Sequence, residues 1–265
     1  MSHVKEGLQS RAKKRFGQHF LVDPNVTSRI VDSLESDTTG KVLEIGPGRG
    51  ALTSVLVDRN FRLSVLERDP DLAFEMKHKW PGLDVIIGDA LAFSYDRLPR
   101  AGFARIVGNL PYNIASPLIW TIAPVGRDLG QCVFMVQKEV AQRIVSPPGS
   151  KEYGILSAWV QSYLAPRLLF PVSPHVFRPK PQVMSAVVDF HPQGCGLWPG
   201  CTPEGLSKLL HLCFQHRRKQ VGTILRARWT AELDVLLGEE NLDKRSRPER
   251  ISPRLFQKMA ALLDS

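Results

Sequence analysis

Asn109-Leu110-Pro111-Tyr112 closes a β-rich run and opens a turn, and its residue types suit one demanding chemical task. An exocyclic amine on an aromatic ring is a poor nucleophile because its lone pair is delocalised into the ring. Two acceptors at one point, the Asn109 side-chain oxygen and the Leu110 carbonyl, could hold the N–H groups of such an amine and favour a more pyramidal nitrogen. Pro111 fixes the turn and has no N–H to compete. Tyr112 offers a ring on which a base can stack, worth about 1–3 kcal/mol per base. An ordinary proline turn before a core tyrosine would read the same, so the rest of the chain must decide.

A second group is Val42-Leu43-Glu44-Ile45-Gly46-Pro47-Gly48-Arg49-Gly50-Ala51, a strand pattern running into a glycine turn and then a helix. Glycine permits positive φ and close approach of backbone to a ligand. The spacing is G-x-G-x-G, where the dinucleotide fingerprint has G-x-G-x-x-G. Glu67 ends the next strand, placed to accept both hydroxyls of a ribose. A nucleotide-like ligand follows. An acidic Glu44 beside the loop would oppose a pyrophosphate and suit a cation. S-adenosylmethionine carries a sulfonium and an ammonium and no phosphate, so it fits better than NAD. The third strand ends in Gly88-Asp89-Ala90, where a carboxylate can meet an adenine amino group or simply cap the following helix.

Both groups need elements to position them. Strand patterns cover Lys41–Ile45, Leu63–Glu67, Asp84–Ile87, Arg105–Asn109, Cys132–Val136 and Ser185–Phe190. Helical patterns near Ala51–Arg59, Asp71–Lys79, Ser116–Ile122, Glu139–Val145 and Tyr153–Leu164 alternate with them, and an earlier helix opens at Asp23-Pro24. This alternation predicts a parallel sheet covered on both faces, with ligands at the carboxyl ends of its strands. The segment His191–Pro203 holds three prolines and three glycines and reads as a linker. Beyond it Leu206–Phe214, Val221–Arg228 and Pro253–Leu263 look helical. The last has Ser252 as cap and one apolar face of Leu255, Phe256, Met259, Leu262 and Leu263. The expectation is an α/β domain over residues 1–192 and a small all-helical domain over 193–265.

The 265 residues carry 35 Lys+Arg and 26 Asp+Glu, a formal charge of +9. Residues 1–22 account for +4, residues 191–265 for another +4, and the long middle for only +1. Excess at both ends of a near-neutral body suggests a polyanionic partner. No run approaches the roughly 20 apolar residues that span a bilayer, and the N-terminus lacks an apolar signal core, so a cytoplasmic protein is expected. Cys132, Cys195, Cys201 and Cys213 form no C-x-x-C pair, which argues for reduced thiols and against a zinc site.

Seven ordered blocks resemble one family. They are Arg15-Phe16-Gly17-Gln18-His19-Phe20-Leu21, Leu43–Gly50, Asn109-Leu110-Pro111-Tyr112-Asn113-Ile114, Gln137–Ala141, Gly149-Ser150-Lys151-Glu152-Tyr153-Gly154, Phe177–Val188 and Arg217-Arg218-Lys219. Together they resemble the KsgA-type ribosomal RNA adenine dimethyltransferases from residue 11 to about 262. The resemblance implies a Rossmann-like class I methyltransferase domain with a helical C-terminal domain. It also implies transfer of methyl groups from S-adenosylmethionine to N6 of two adjacent adenosines, in the 3′-terminal hairpin of small-subunit (16S) rRNA. Carried over by motif, cofactor contacts fall on His19, Leu21, Gly46, Glu67, Asp89 and Asn109. The catalytic turn falls on Asn109, Leu110, Pro111 and Tyr112. His19 stands where many members have asparagine and takes no acid–base role. Gln182 replaces the family's usual lysine, and Lys180 could supply that charge.

Methyl transfer from a sulfonium needs no metal, only positioning and polarisation of the amine. The adenine must leave its stack, at a cost of a few kcal/mol. Tyr112 would offset this on one face and Phe177 on the other, unless Phe177 packs in the core. Arg11, Lys13, Lys14 and Arg15 in front, with Arg217, Arg218, Lys219, Arg226 and Arg228 behind, would grip RNA phosphates. The partner is then the small-subunit rRNA in the 30S subunit, and the protein a monomer without membrane contact. The alternatives are a large-subunit (23S) rRNA methyltransferase of the macrolide-resistance type and a non-catalytic assembly or transcription factor on the same fold. The intact Gly46, Glu67, Asn109 and Tyr112 argue for an enzyme.

Overall fold

A computed structural model describes residues 19–34, 39–194 and 196–264. Arg11, Lys13, Lys14, Arg15 and Cys195 therefore lie outside the described residues. The chain opens with β1 (Phe20–Leu21) and α1 (Pro24–Asp32). Asp23 caps α1 by accepting from the Asn25 and Val26 N–H groups at 2.8 and 3.1 Å. Pro24 takes the first helical position, where it has no hydrogen bond to lose. Next come β2 (Lys41–Ile45), α2 (Ala51–Asp58), β3 (Leu63–Glu67), α3 (Pro70–Lys79), β4 (Asp84–Ile87) and β5 (Phe103–Asn109). They are followed by α4 (Ala115–Gly126), β6 (Gln131–Gln137), α5 (Lys138–Val145) and α6 (Ile155–Gln161). The strands end with β7 (Leu164–Val172), β8 (Phe177–Arg178) and β9 (Ser185–Pro192). Only helices follow among the described residues: α7 (Pro203–Gln215), α8 (Val221–Ile224), α9 (Ala231–Gly238) and α10 (Pro253–Asp264). As expected, Ser252 caps the last, its Oγ accepting from the Leu255 N–H at 3.0 Å.

The main sheet has the order β4-β3-β2-β5-β6-β9-β7. Its first five strands are parallel, whereas β9 runs antiparallel to both β6 and β7. The expected all-parallel sheet is thus corrected to a mixed one. The physical reason is the connection: β7 reaches β9 through a short loop and β8, and a return without a crossover helix pairs antiparallel. Strand β7 occupies a stretch left unassigned between the predicted helix Tyr153–Leu164 and the predicted strand Ser185–Phe190. Pro166 and Pro171 interrupt its pattern, and both are tolerated because β7 is an edge strand. Helix α9 also escaped the sequence pattern, since only Leu233 and Leu237 are buried along it and Val235 faces solvent.

The alternation of a strand places neighbouring residues on opposite faces. Val42, Val107, Val133 and Val187 pack into one core cluster with α1 and α2. Their sequence neighbours Leu43, Ile106, Phe134 and Val188 pack into the other. That second cluster runs on into Leu206, Leu210, Phe256 and Met259 of the C-terminal helices. The Trp120 and Trp159 rings stack there at 4.2 Å and 4°, and the Tyr153 hydroxyl donates to the Ile251 carbonyl at 3.0 Å. No helix of the described residues is long and apolar enough to cross a membrane.

Candidate functional site

The sheet order reverses between β2 and β5: the chain builds outward through β3 and β4, then returns to start β5 on the other side. Such a switch point leaves a crevice at the carboxyl ends of the two strands. A cavity lies there, lined by the glycine loop after β2, the end of β3, residues Gly88–Ala90 after β4, and the Asn109–Ile114 turn after β5. Residues His19–Leu21 close its remaining side. The expected contacts His19, Leu21, Gly46, Glu67, Asp89, Asn109, Leu110, Pro111 and Tyr112 are therefore brought together at one cavity.

The glycine loop is shaped by left-handed backbone. Gly46 has φ +65°, and a Cβ built on it would meet nothing within 4 Å, so the space beside it belongs to the cavity. Gly48 has φ +57°, and a Cβ there would come within 3.0 Å of the Phe20 ring. A side chain at 48 would be strained at this φ and would crowd the Phe20 ring of β1. The guanidinium of Arg49 sits 4.7 Å from the same Phe20 ring.

Two buried carboxylates face this loop. Glu44 is 1% exposed and accepts from the Thr53 hydroxyl on α2 at 2.6 Å. Burial pushes its carboxyl up to about 8; the Thr53 bond opposes this and the nearby Glu67 charge adds to it. Glu67 accepts from the Asp69 N–H at 2.8 Å with one oxygen and from the Gly48 N–H at 3.1 Å with the other. Burial raises its carboxyl too, and these backbone donors work against the rise. Asp89 lines the cavity, and its Oδ1 accepts from the Leu91 N–H at 3.0 Å in a turn, with no helix following directly, while Arg68 lies 3.4 Å from its other oxygen.

The Asn109 amide is oriented by a bond across the cavity. Its Nδ2 donates to the His19 carbonyl at 3.1 Å, which leaves Oδ1 without a protein partner among the described residues. The Leu110 N–H donates to the Met135 carbonyl at 3.1 Å and ties the turn to β6. The Leu110 carbonyl accepts no bond among the described residues. Asn109 and Leu110, both lining residues of the cavity, thus each keep a carbonyl oxygen available as an acceptor. The Tyr112 ring is half-buried, stacks on the His19 ring at 5.5 Å and 29°, and reaches the Ser185 hydroxyl at 2.7 Å. His19 is held in turn by the Pro179 carbonyl, 2.8 Å from its Nδ1.

Phe177 is the clearest correction. It is 0% exposed, does not line the cavity and packs with Leu21, Ile30 and Val172. Its strand β8 pairs antiparallel with β1, so an apolar ring at 177 points into the core and not at a bound base. Its contribution to the site is to hold β1 in place. Among the basic residues, Arg217 is partly buried, with its Nε donating to Glu249 at 3.2 Å and Nη2 to the Lys151 carbonyl at 2.7 Å. It joins three loops, while Arg218 and Lys219 beside it are exposed. Arg226 and Arg228 are exposed as well, and Arg228 donates to the Leu263 carbonyl. Lys180 is exposed 3.3 Å from the His175 ring, and Gln182 faces solvent.

Several residues gave no usable sequence signal. Thr53 and Ser185 partner the site from different elements, and their contacts are tertiary. Lys244, Arg245, Arg247 and Arg250 form a charge run that a solvated surface would also produce. The structure sets this run against the basic turn: the Val221 and Gly222 N–H groups donate to the Ser246 and Lys244 carbonyls at 2.8 and 2.9 Å. The two segments that carry these exposed basic residues are thus neighbours in the fold.

Comparison with known proteins agrees with this geometry. The protein is similar to ribosomal RNA small subunit methyltransferase A of Maridesulfovibrio salexigens, with 44% identity over 94% of each chain. The protein of the same name from Nitratidesulfovibrio vulgaris strain DP4 is 43% identical over 94% of this chain and 95% of its own. Among solved structures, the fold matches a dimethyladenosine transferase from Plasmodium falciparum at TM-score 0.73 and 24% identity, covering 93% of this chain and 97% of that one. It matches the 23S rRNA methyltransferase ErmE at TM-score 0.71 and 22% identity, covering 93% and 100%. Both likenesses are of fold: a Rossmann-like α/β sheet followed by helices. The family model described as ribosomal RNA adenine dimethylase matches residues 9–264, and the chain belongs to that family.

Proposed function

We propose that this protein transfers methyl groups from S-adenosylmethionine to N6 of two adjacent adenosines in the 3′-terminal hairpin of small-subunit rRNA, in the cytoplasm, during subunit assembly. The observation that carries it is the convergence of a glycine loop flanked by the buried carboxyl groups of Glu44 and Glu67 and the Asn109–Tyr112 turn on one cavity. The relatives at 43–44% identity bear the small-subunit name, which supports that target over the large subunit.

The cavity fits the cofactor by its donor set. Glu44 and Glu67 are buried carboxylates with no ion-pair partner among the described residues, suited to a cation and to ribose hydroxyls. Gly46 leaves room where a side chain would intrude. His19, Leu21, Asp89 and Asn109 would complete the walls. When bound, the cofactor supplies a methyl group already activated on a sulfonium. Asn109 Oδ1 and the Leu110 carbonyl hold the two N6 hydrogens and draw the lone pair out of conjugation. Tyr112 holds the ring, and the surplus proton passes to solvent once nitrogen has gained its methyl group.

The helical region, residues 193–265, is the proposed rRNA-binding unit, and the protein is taken to act as a monomer on 30S particles. Its grip centres on Arg218, Lys219, Lys244, Arg245, Arg247 and Arg250, with Arg11, Lys13, Lys14 and Arg15 as the second arm. Charge reversal of Arg218 and Lys219 is expected to weaken binding to the hairpin. It should also flatten the dependence of log K on log salt by roughly 0.7–0.9 per lost phosphate contact. Titration at several salt concentrations measures this, and an unchanged slope removes this face from the interface. The function itself is tested by incubating the protein with undermethylated small subunits and methyl-labelled S-adenosylmethionine. Label should map to two adjacent adenosines; label on the large subunit, or none, refutes it.

A further inference from the structure

The structure assigns Ser185 as a positioning residue for Tyr112, an assignment that rests on the catalytic role proposed for the Asn109–Tyr112 turn. Ser185 is the first residue of β9, 0% exposed, and lies between Gln137 of β6 and Val172 of β7 in the sheet register. Its backbone cannot drift, since the preceding Met184 carbonyl accepts from the Lys138 N–H at 2.9 Å. From this fixed point its hydroxyl meets the Tyr112 hydroxyl at 2.7 Å.

A tyrosine in a turn has two free side-chain torsions, and ring contact alone restrains them weakly. Here the near end of the side chain is set by the proline turn, one face by the His19 ring at 5.5 Å, and the far end by Ser185. His19 is itself anchored on the Pro179 carbonyl, six residues before Ser185. Both restraints on the ring thus come from one stretch, Pro179–Ser185, reached by the chain about 70 residues after the turn it serves. A ring placed before the base arrives contributes its stacking in full, whereas a mobile ring loses part of it to ordering. The hydroxyl pair is also specific: removing either partner leaves the other polar group unpaired at a half-buried site.

The test is a double-mutant cycle on the full-length protein with undermethylated small subunits. Ser185→Ala and Tyr112→Phe each remove the same bond from opposite ends. Each is expected to lower kcat about tenfold, with the KM for subunits and the dissociation constant for S-adenosylmethionine within about twofold of wild type. The double variant should be no slower than either single one. Tyr112→Phe opens no cavity, so it reports on the bond even if Ser185→Ala folds poorly. Losses that multiply to about a hundredfold in the double variant overturn the assignment. So does wild-type turnover of Ser185→Ala when Tyr112→Ala is crippled. Wild-type turnover of Tyr112→Ala would instead remove the catalytic role of the turn, and this assignment with it.

Discussion

Replacing Asn109 by alanine is expected to lower kcat for methyl transfer by about 10²–10³-fold, the loss typical of removing one preorganised stabilising group. The cofactor should still bind, because Glu44, Glu67, Asp89 and the glycine loop stay in place around it. The size of the effect follows from what Asn109 does twice over. Its Nδ2 donates to the His19 carbonyl, which fixes the amide so that Oδ1, the acceptor, is the atom presented to a substrate amine. Alanine removes both the acceptor and the bond that holds β1 to the end of β5. Aspartate separates the two. It keeps an acceptor of the same size but turns the bond to His19 into a carboxylate–carbonyl repulsion. Asn109→Asp should therefore retain measurable turnover, between alanine and wild type. Single-turnover methylation of small subunits, run beside equilibrium binding of S-adenosylmethionine, separates chemistry from binding. Near-normal single-turnover rates in Asn109→Ala would sink the catalytic role of the turn.

Much of this site was legible because its chemistry is local in sequence. The glycine loop, Glu67 at a strand end and the Asn109–Tyr112 turn each follow a β-rich run, and the switch point between β2 and β5 then brings three strand ends to one crevice. The strand patterns for β2, β3 and β4 match the structure residue for residue, because each is a short Val/Leu/Ile-rich run bounded by turn residues. What escaped is tertiary. Residues 20–21 and 177–178 pair across more than 150 positions, and no periodicity in two-residue strands announces this. That pairing decides the fate of Phe177: once Leu21 faces Phe177 across the ladder, the ring joins the core beside Ile30 and Val172. Arg217 was legible as a charge but not as a tie, since Glu249 and Lys151 come from loops far along the chain. The edge strand β7 was hidden by its own prolines, which mark an edge only after the sheet order is known.

Binding of S-adenosylmethionine should release close to one proton at pH 7 and tighten as pH rises, and Glu44 is the source. Its carboxyl is fully buried beside a second carboxylate, Glu67, and burial foremost pushes it up to about 8. Thr53 donates to it, but no cation does so among the described residues; Arg49 lies on Phe20 and Arg68 near Asp89, both at the exposed rim. In the cavity without a ligand, Glu44 thus holds a proton at neutral pH. A cationic ligand favours the ionised form, so at pH 7, below the ligand-free value of about 8, binding expels that proton. The affinity for the cofactor should rise by up to about tenfold per pH unit toward that value and level off above it. The same shift acts on folding with the opposite sign. The folded chain holds the proton to higher pH than the unfolded chain, so Glu44 costs stability progressively as pH climbs from the ordinary carboxylate range to about 8. Glu44→Gln, neutral at every pH, should bind the cofactor more weakly yet melt higher than wild type at pH 8, the gap closing toward pH 5. Calorimetric titration at pH 7 in two buffers of different ionisation enthalpy counts the proton directly. The observed heats should differ by the buffer difference for wild type and coincide for Glu44→Gln; equal heats for wild type would show that Glu44 does not change its protonation when the cofactor binds, which overturns the prediction.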